Sequence, residues 1–133
     1  MGQIAGHRSL ATQNPQAQFL ENYAINKRLI ARMAEFCRSQ NIDFLLVCMQ
    51  DVYQPDGVAA LRAVDASYDS RFFEKDMQEL AATLQIAFLG LQSHFEAAAL
   101  ESQQSLQWVH WNYAGHRTVA QSFSSAVQSL ATQ

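Results

Sequence analysis

Two short apolar runs, separated by a segment of helical periodicity, constrain the fold of this chain most strongly. The first run spans residues 44 to 49, and the second spans residues 86 to 89. Nearly continuous apolar runs of this length are typical of parallel strands that are covered on both faces. Because parallel neighbours need a long connection between them, the sequence predicts an α/β unit with a right-handed helical crossover.

Three segments have the three- and four-residue apolar spacing of amphipathic helices. They cover residues 19 to 40, residues 68 to 84, and the stretch from Asn112 almost to the C-terminus, with a shorter helix around residues 58 to 64. Asn41 is a suitable helix stop, and Asn112 is a suitable N-cap. The Ala-rich residues 93 to 104 fit either a short helix or a surface loop.

The apolar positions of the first and last helices are expected to face the sheet. In the first helix they recur mostly at three- and four-residue steps, as Leu20, Tyr23, Ile25, Leu29, Ile30, Met33 and Phe36. In the last helix they are Ala114, Val119, Ala120, Phe123, Val127 and Leu130. Charged side chains such as Lys27 fall between them, so each helix is predicted to bury one stripe and to expose the opposite side.

A single domain over residues 18–133 is expected, preceded by a flexible arm over residues 1–17. The arm is rich in Gln, Gly, Ser and Thr, whereas the chain as a whole is 49% hydrophobic and 16% charged. Those proportions are typical of globular proteins. The element order predicts right-handed crossovers and a short parallel sheet. Two strands leave sheet edges open, so self-association or a complementing chain is expected.

Charge and hydropathy exclude several kinds of partner. The net charge is −3, and no basic run occurs, which disfavours nucleic-acid binding. The longest apolar run, residues 44 to 49, is too short to cross a bilayer, and no signal-peptide pattern is visible. Cys37 and Cys48 lack metal-ligand spacing and are interpreted as reduced thiols of a cytoplasmic protein. No cofactor or metal ion is expected.

A histidine stands just before the last helix, in the sequence His110-Trp111-Asn112-Tyr113-Ala114-Gly115. This block resembles the last catalytic block of the SGNH/GDSL-type hydrolases, in which a histidine on the loop before the final helix serves a serine nucleophile. The order of elements from about residue 18 to 131 is similar to the C-terminal half of that family. The resemblance implies a partial three-layer α/β/α sandwich that is SGNH hydrolase-like and flavodoxin-like, with an incomplete N-terminal half. It also implies a small acyl-ester substrate and His110 as the general base.

Two features of the family pattern are missing. Gln107 stands three residues before His110, where the family has Asp, and an amide can orient an imidazole without stabilising its positive charge as well as a carboxylate does. No Gly-Asp-Ser block that would carry the nucleophile occurs in the sequence. A general base needs a positioned nucleophile. We therefore expect an esterase relative that is truncated or inactive alone; the alternative is a non-catalytic α/β interaction or structural domain that self-associates.

Three further residues are candidate substrate contacts. Asp51 directly follows the first apolar run, where the carboxyl end of a strand places ligand-binding groups in open α/β sheets; its alternative role is to cap a loop. Trp111 and Asn112 flank His110, and their alternative roles are packing and helix capping. His116 lies six residues after His110 and is interpreted as a solvent-facing or packing residue. A metal site formed by these two histidines is not favoured, because metal ligands on one helix face are normally three or four positions apart.

Overall fold

The computed structural model describes residues 6–49, 55–107 and 110–130. A 3₁₀ helix, Gly6–Ala11, comes before the first α-helix. The remaining elements, in chain order, are α1 (Ala17–Ser39), β1 (Leu45–Cys48), α2 (Pro55–Val64), α3 (Phe72–Leu84), β2 (Ala87–Gly90), α4 (Leu91–Ser102) and α5 (Tyr113–Leu130). None of the helices among these residues combines the length and apolar content needed to cross a membrane.

The two strands pair in parallel, with Leu45 opposite Ala87 and Cys48 opposite Gly90. Helices α2 and α3 form the connection between them. The mixed α/β character and the parallel pairing that the apolar runs predict are therefore confirmed. Residues 93 to 104, for which the sequence leaves helix and loop open, belong mostly to α4, which begins directly after β2.

Both strands are entered from a helix that ends in a left-handed residue. Asn41 has φ 56° after α1, and Gln85 has φ 54° after α3. In each case the next amide donates a hydrogen bond five residues back, from Ile42 to the Cys37 carbonyl at 2.9 Å and from Ile86 to the Ala81 carbonyl at 3.0 Å. This is the Schellman arrangement, which satisfies terminal carbonyls and turns the chain sharply. The chain therefore turns at the end of each helix and continues into the strand that follows.

One face of the sheet carries the main apolar core. Leu89, Leu91, Phe95 and Leu106 are buried together, and Leu45, Val47 and Trp111 pack against them. Leu45, Val47 and Leu89 point to the same side, because alternate residues of a strand share a face and Val47 pairs with Leu89. Helices α4 and α5 cover this face and contact each other.

The opposite face is covered by α3, with α1 packed beside it. Gly90 lies so close to α3 that a Cβ there would come within 2.5 Å of the Glu74 side chain. The Tyr23 hydroxyl donates to Asp76 at 2.7 Å near the start of both helices, and Arg38 donates to the Leu84 carbonyl at 2.5 Å near their ends. Helices α1 and α3 therefore run side by side in the same direction.

Residues 6 to 14, which belong to the flexible arm that composition predicts for residues 1–17, contact the rest of the fold. Leu10 and Ala11 are buried. The Ala11 carbonyl accepts a hydrogen bond from the Asp69 amide at 2.9 Å, and the Gln13 amide donates to the Ser67 hydroxyl at 2.9 Å. These contacts join the segment to the loop between α2 and α3. The sequence does not reveal them because the partners are more than 50 residues apart and follow no local period.

The predicted burial of the apolar stripes is wrong for part of α1 and α5. Helix α1 packs through Tyr23, Lys27 and Ala34, so Lys27, expected in water, is half-buried. The exposed apolar side chains of α1 include Ile25 (40%), Leu29 (56%), Met33 (54%) and Phe36 (64%). In α5, Ala120, Phe123 and Val127 are exposed as well. Periodicity identifies a helix but cannot say which of two adjacent apolar stripes meets the sheet.

Candidate functional site

The loop before α5 lies beside the carboxyl end of β2. Helix α4 starts at Leu91, immediately after that strand, and Phe95 is one helical turn further on. The Phe95 ring packs against the Trp111 ring at a centroid distance of 5.9 Å. Trp111, the residue after His110, is thereby held beside the first turns of α4, on the side of the sheet where open α/β sheets bind ligands.

The direction of α5 agrees with this placement. Leu130, at the end of α5, lines a depression of about 530 Å³ together with Phe44, Ile86 and Ala87, which stand at the amino ends of the strands. A helix of 18 residues is about 27 Å long, about twice the length of a four-residue strand. Its first residue therefore projects toward the carboxyl ends, and the depression lies at the end of the molecule away from His110.

Asn112 organises the start of α5. Its Oδ1 accepts a hydrogen bond from the Gly115 amide at 3.0 Å, which is the N-cap interaction that the sequence predicts. Its Nδ2 donates to the Ser105 carbonyl at 2.6 Å, and its own amide donates to the Leu106 carbonyl at 3.1 Å. Asn112 thus satisfies a helix amide and also joins α5 to the segment that follows α4.

Gly115 is required by close packing at the same turn. A Cβ at this position would overlap the Leu106 carbonyl oxygen and come within 3.1 Å of the Trp111 Cβ. Gly115 itself is buried. Because the obstruction includes a backbone carbonyl, a side chain could be accommodated only by moving the helix away from residues 105 and 106.

His110 is exposed, and the residue after it, Trp111, forms an antiparallel bridge with Gln107. Within the described parts of the chain, the His110 ring makes no hydrogen bond or ion pair. The Ser105 hydroxyl donates to the Gln107 carbonyl, and this bond fixes the backbone at Gln107. The imidazole is therefore accessible to a molecule that approaches the carboxyl end of the sheet.

Trp111 and His116 form a small aromatic contact next to His110. Trp111 is half-buried, and its ring meets the His116 ring edge-on, with centroids 5.6 Å apart and planes at 86°. His116 is exposed and packs on Trp111, as predicted for a solvent-facing or packing residue. The structure thus gives Trp111 a packing role and Asn112 a capping role. Contact of either residue with a substrate stays a prediction.

Asp51, the third candidate substrate contact, lies outside the described residues. Among those that are described, no three His, Cys, Asp or Glu side chains come close enough together to hold a metal ion.

Sequence reasoning missed a polar cluster at the carboxyl end of β2. The first-turn amide of Ser93 donates to Glu74 at 3.2 Å, and Arg71 pairs with Glu96 at 2.5 Å. The buried Gln92 side chain donates to the same Glu96 carboxylate at 2.8 Å. One signal for this cluster was available: a helix that starts directly after a strand leaves amide donors that need an acceptor. Which carboxylate supplies it depends on the α3–α4 packing.

Comparison of the chain with protein-family models, with curated proteins and with solved structures gave no match.

Proposed function

We propose that this chain is related to the C-terminal part of SGNH/GDSL-type acyl-ester hydrolases and that His110 occupies the general-base position. The observation that carries the proposal is the exposed His110 ring on the loop before the last helix, next to the carboxyl end of the sheet. The parallel strands with helices on both faces support the same fold assignment.

In this chemistry, the His110 imidazole removes the proton from a hydroxyl as its oxygen attacks the ester carbonyl carbon. The imidazolium then gives that proton to the leaving alkoxide as the ester C–O bond breaks. Because the sequence contains no Gly-Asp-Ser block, the serine of the family reaction would have to come from another polypeptide segment. With the chain alone, water takes the place of the serine hydroxyl, and only slow hydrolysis of activated esters is expected.

The test is hydrolysis of a short p-nitrophenyl ester by the purified protein. Turnover above buffer should fall to background in His110→Ala and persist in His94→Ala, a matched control because His94 is also exposed. Equal rates in these two variants would contradict the proposal, since they would show only the background reaction of surface imidazoles.

A gain-of-function variant sharpens the same test. Gln107→Asp restores a carboxylate three residues before His110 and should raise the His110-dependent rate by about tenfold or more, because an adjacent carboxylate stabilises the imidazolium. The control is Gln107→Glu, in which the same charge is one methylene further from the backbone and the gain should be smaller. No gain in Gln107→Asp would argue against His110 as a base.

A second candidate is a non-catalytic interaction domain that self-associates. It is favoured by Asn112 and Gly115, because capping and close packing fully account for these two residues without a substrate. Ester turnover above buffer that is lost in His110→Ala and kept in His94→Ala would remove this candidate, since a non-catalytic domain has no activity that depends on one histidine.

A further inference from the structure

Helix α1 presents a continuous apolar stripe that nothing in the described chain covers. Ile25, Leu29, Met33 and Phe36 follow one another at steps of four, four and three residues, so they form one line along the helix. All four are exposed. They lie on the opposite flank of the helix from Arg38 and roughly a third of a turn from Tyr23, Lys27 and Ala34, which form the side packed against α3.

The charges beside this stripe have a regular order. Glu21, Arg28 and Glu35 recur every seven residues along one side of it, and the exposed Arg32 lies on the same side. The positions at the same spacing on the other side are Asn26, Met33 and Gln40, and none of them is charged. In paired helices, the residues that flank the apolar seam decide the orientation of the partner. Only one flank of the α1 stripe carries charged residues that can select the orientation of a partner helix.

We infer that the α1 stripe is a self-association surface, on which a second copy of this chain lays its own α1 in the antiparallel direction. With a two-fold axis near residues 30 and 31, Ile25 lies opposite Phe36 of the second copy, and Leu29 lies opposite Met33. The same register brings Arg28 beside Glu35 of the second copy, and the symmetry produces this ion pair twice. The apolar pairs and the ion pair therefore form at registers that agree to within one residue.

A parallel pair of α1 helices does not bring Arg28 beside Glu35 of the second copy. In that orientation each charged flank faces the uncharged flank of the other copy, so Arg28 meets Met33 and Glu35 meets Gln40. Arg28 makes no hydrogen bond or ion pair with any described residue. Glu35 pairs with Arg32 at 3.0 Å, but both side chains are largely exposed, and such a pair is worth little. Glu35 can therefore turn to a stronger partner.

The size of the α1 contact limits the expected affinity of the dimer. A 23-residue helix is about 35 Å long, and two such helices bury an area below the about 1,200 Å² that marks the small end of stable complexes. We expect a reversible dimer with a dissociation constant of roughly 1–100 µM. The inference of a dimer surface on α1 is independent of the role proposed for His110, because it is tested by dimerisation and not by ester hydrolysis.

Sedimentation velocity between about 1 and 300 µM should show a monomer–dimer equilibrium. The double variant Leu29→Ser/Phe36→Ser should raise the dissociation constant at least tenfold. The control Phe123→Ser removes an exposed aromatic side chain from α5 and should leave the constant unchanged. A monomer throughout this range overturns the inference, and so does a dimer that the α1 double variant leaves intact, because such a dimer would form elsewhere, for example at the open edge of β1.

Charge reversal tests the orientation. Arg28→Glu alone places two carboxylates opposite each other at each end of the pair, and Glu35→Arg alone places two guanidinium groups there; each variant should dimerise more weakly than the wild type. An equal mixture of the two variants should recover dimers, because every cross-pair is then complementary. Failure of the mixture to recover dimers overturns the antiparallel assignment. Circular dichroism of each variant verifies that α1 still forms.

Discussion

The two faces of the sheet are held by different chemistry. Toward α4 and α5, the contacts are apolar, and Leu89, Leu91 and Phe95 are buried around a common centre. On the α3 side, Met77 and Ala81 are buried as well, but charged and polar groups also join α3 to α1: Lys27 and the Tyr23 hydroxyl both reach the Asp76 carboxylate, at 2.7 Å each. Partial exposure of this ion pair keeps its contribution small.

This difference indicates which half of the molecule sets stability and which half can respond to conditions. Apolar burial contributes about 25 cal/mol per Å² and does not depend on pH, whereas half-buried ionisable groups lose or gain protons. The α4–α5 face should therefore dominate the free energy of unfolding. The α1–α3 face should carry the dependence on pH.

The largest expected effect is the truncation of the apolar face. Phe95→Ala should lower the free energy of unfolding by about 3–5 kcal/mol, because it removes a fully buried ring and leaves a cavity. Urea denaturation measures the loss. Leu100→Ala, on the same helix but exposed, is the control and should change stability by less than about 0.5 kcal/mol. Similar losses in the two variants would show that the core does not lie on this face.

Gly115→Ala tests the close packing of α5 on the same face. Although alanine favours helices by about 1 kcal/mol over glycine, the new Cβ would collide with the Leu106 carbonyl, and a net loss of about 3 kcal/mol is expected. Thermal unfolding provides the measurement. Ser124→Ala, on the exposed side of α5, is the control. A stabilised Gly115→Ala protein would mean that α5 does not approach residue 106.

Asp76→Ala probes the polar face. It leaves the Lys27 ammonium and the Tyr23 hydroxyl half-buried without their acceptor, and should cost about 2 kcal/mol, less than Phe95→Ala. Tyr23→Phe removes a single donor and serves as the milder comparison, with an expected loss of about 1 kcal/mol. If Asp76→Ala cost as much as Phe95→Ala in urea denaturation, the ranking of the two faces would be wrong.

The smallest effect is the pH response of Cys48. Burial, with a contribution from the Glu74 carboxylate, raises the pKa of the Cys48 thiol to about 11. In the unfolded state the thiol ionises at about pH 8.5, so as the pH rises the unfolded state releases this proton before the folded state does. The stability held by the protonated thiol is present below about pH 8.5 and is lost as the pH rises toward 11. The loss should stay below about 1 kcal/mol, because the thiol is partly exposed.

Urea denaturation at pH 8 and pH 10.5 measures this response. Wild-type protein should lose more stability between the two pH values than Cys48→Ala, in which the thiol is absent. Cys37→Ala is the matched control and should follow the wild type. The pKa of the Tyr23 phenol is raised by burial, by its hydrogen bond to Asp76 and, least, by the charge of Cys48. Because Cys48 is the smallest of these causes, most of the Tyr23 response is common to all three proteins. An equal loss of stability between pH 8 and pH 10.5 in wild type and Cys48→Ala would show that the Cys48 thiol does not contribute to the pH dependence.

Local patterns predicted those parts of the fold that local physics controls. The short apolar runs predicted β1 and β2, the helical periods predicted α1, α3 and α5, and Asn112 predicted the cap of α5. The sequence also drew attention to His110, and the structure finds it exposed near the carboxyl end of β2. Its role as a base stays a prediction, as does the role of Asp51.

What the sequence by itself determined is the identity of the elements, because the apolar period, a helix stop such as Asn41 and an N-cap such as Asn112 act within a few residues of each other. Only the tertiary structure decided which surfaces meet. It placed the half-buried Lys27 against Asp76, left Leu29 and Phe36 in water, bonded Ala11 to the α2–α3 loop, and required glycine at position 115. The physical reason is that packing joins residues far apart in the chain, so no local pattern encodes which of two apolar stripes finds a partner.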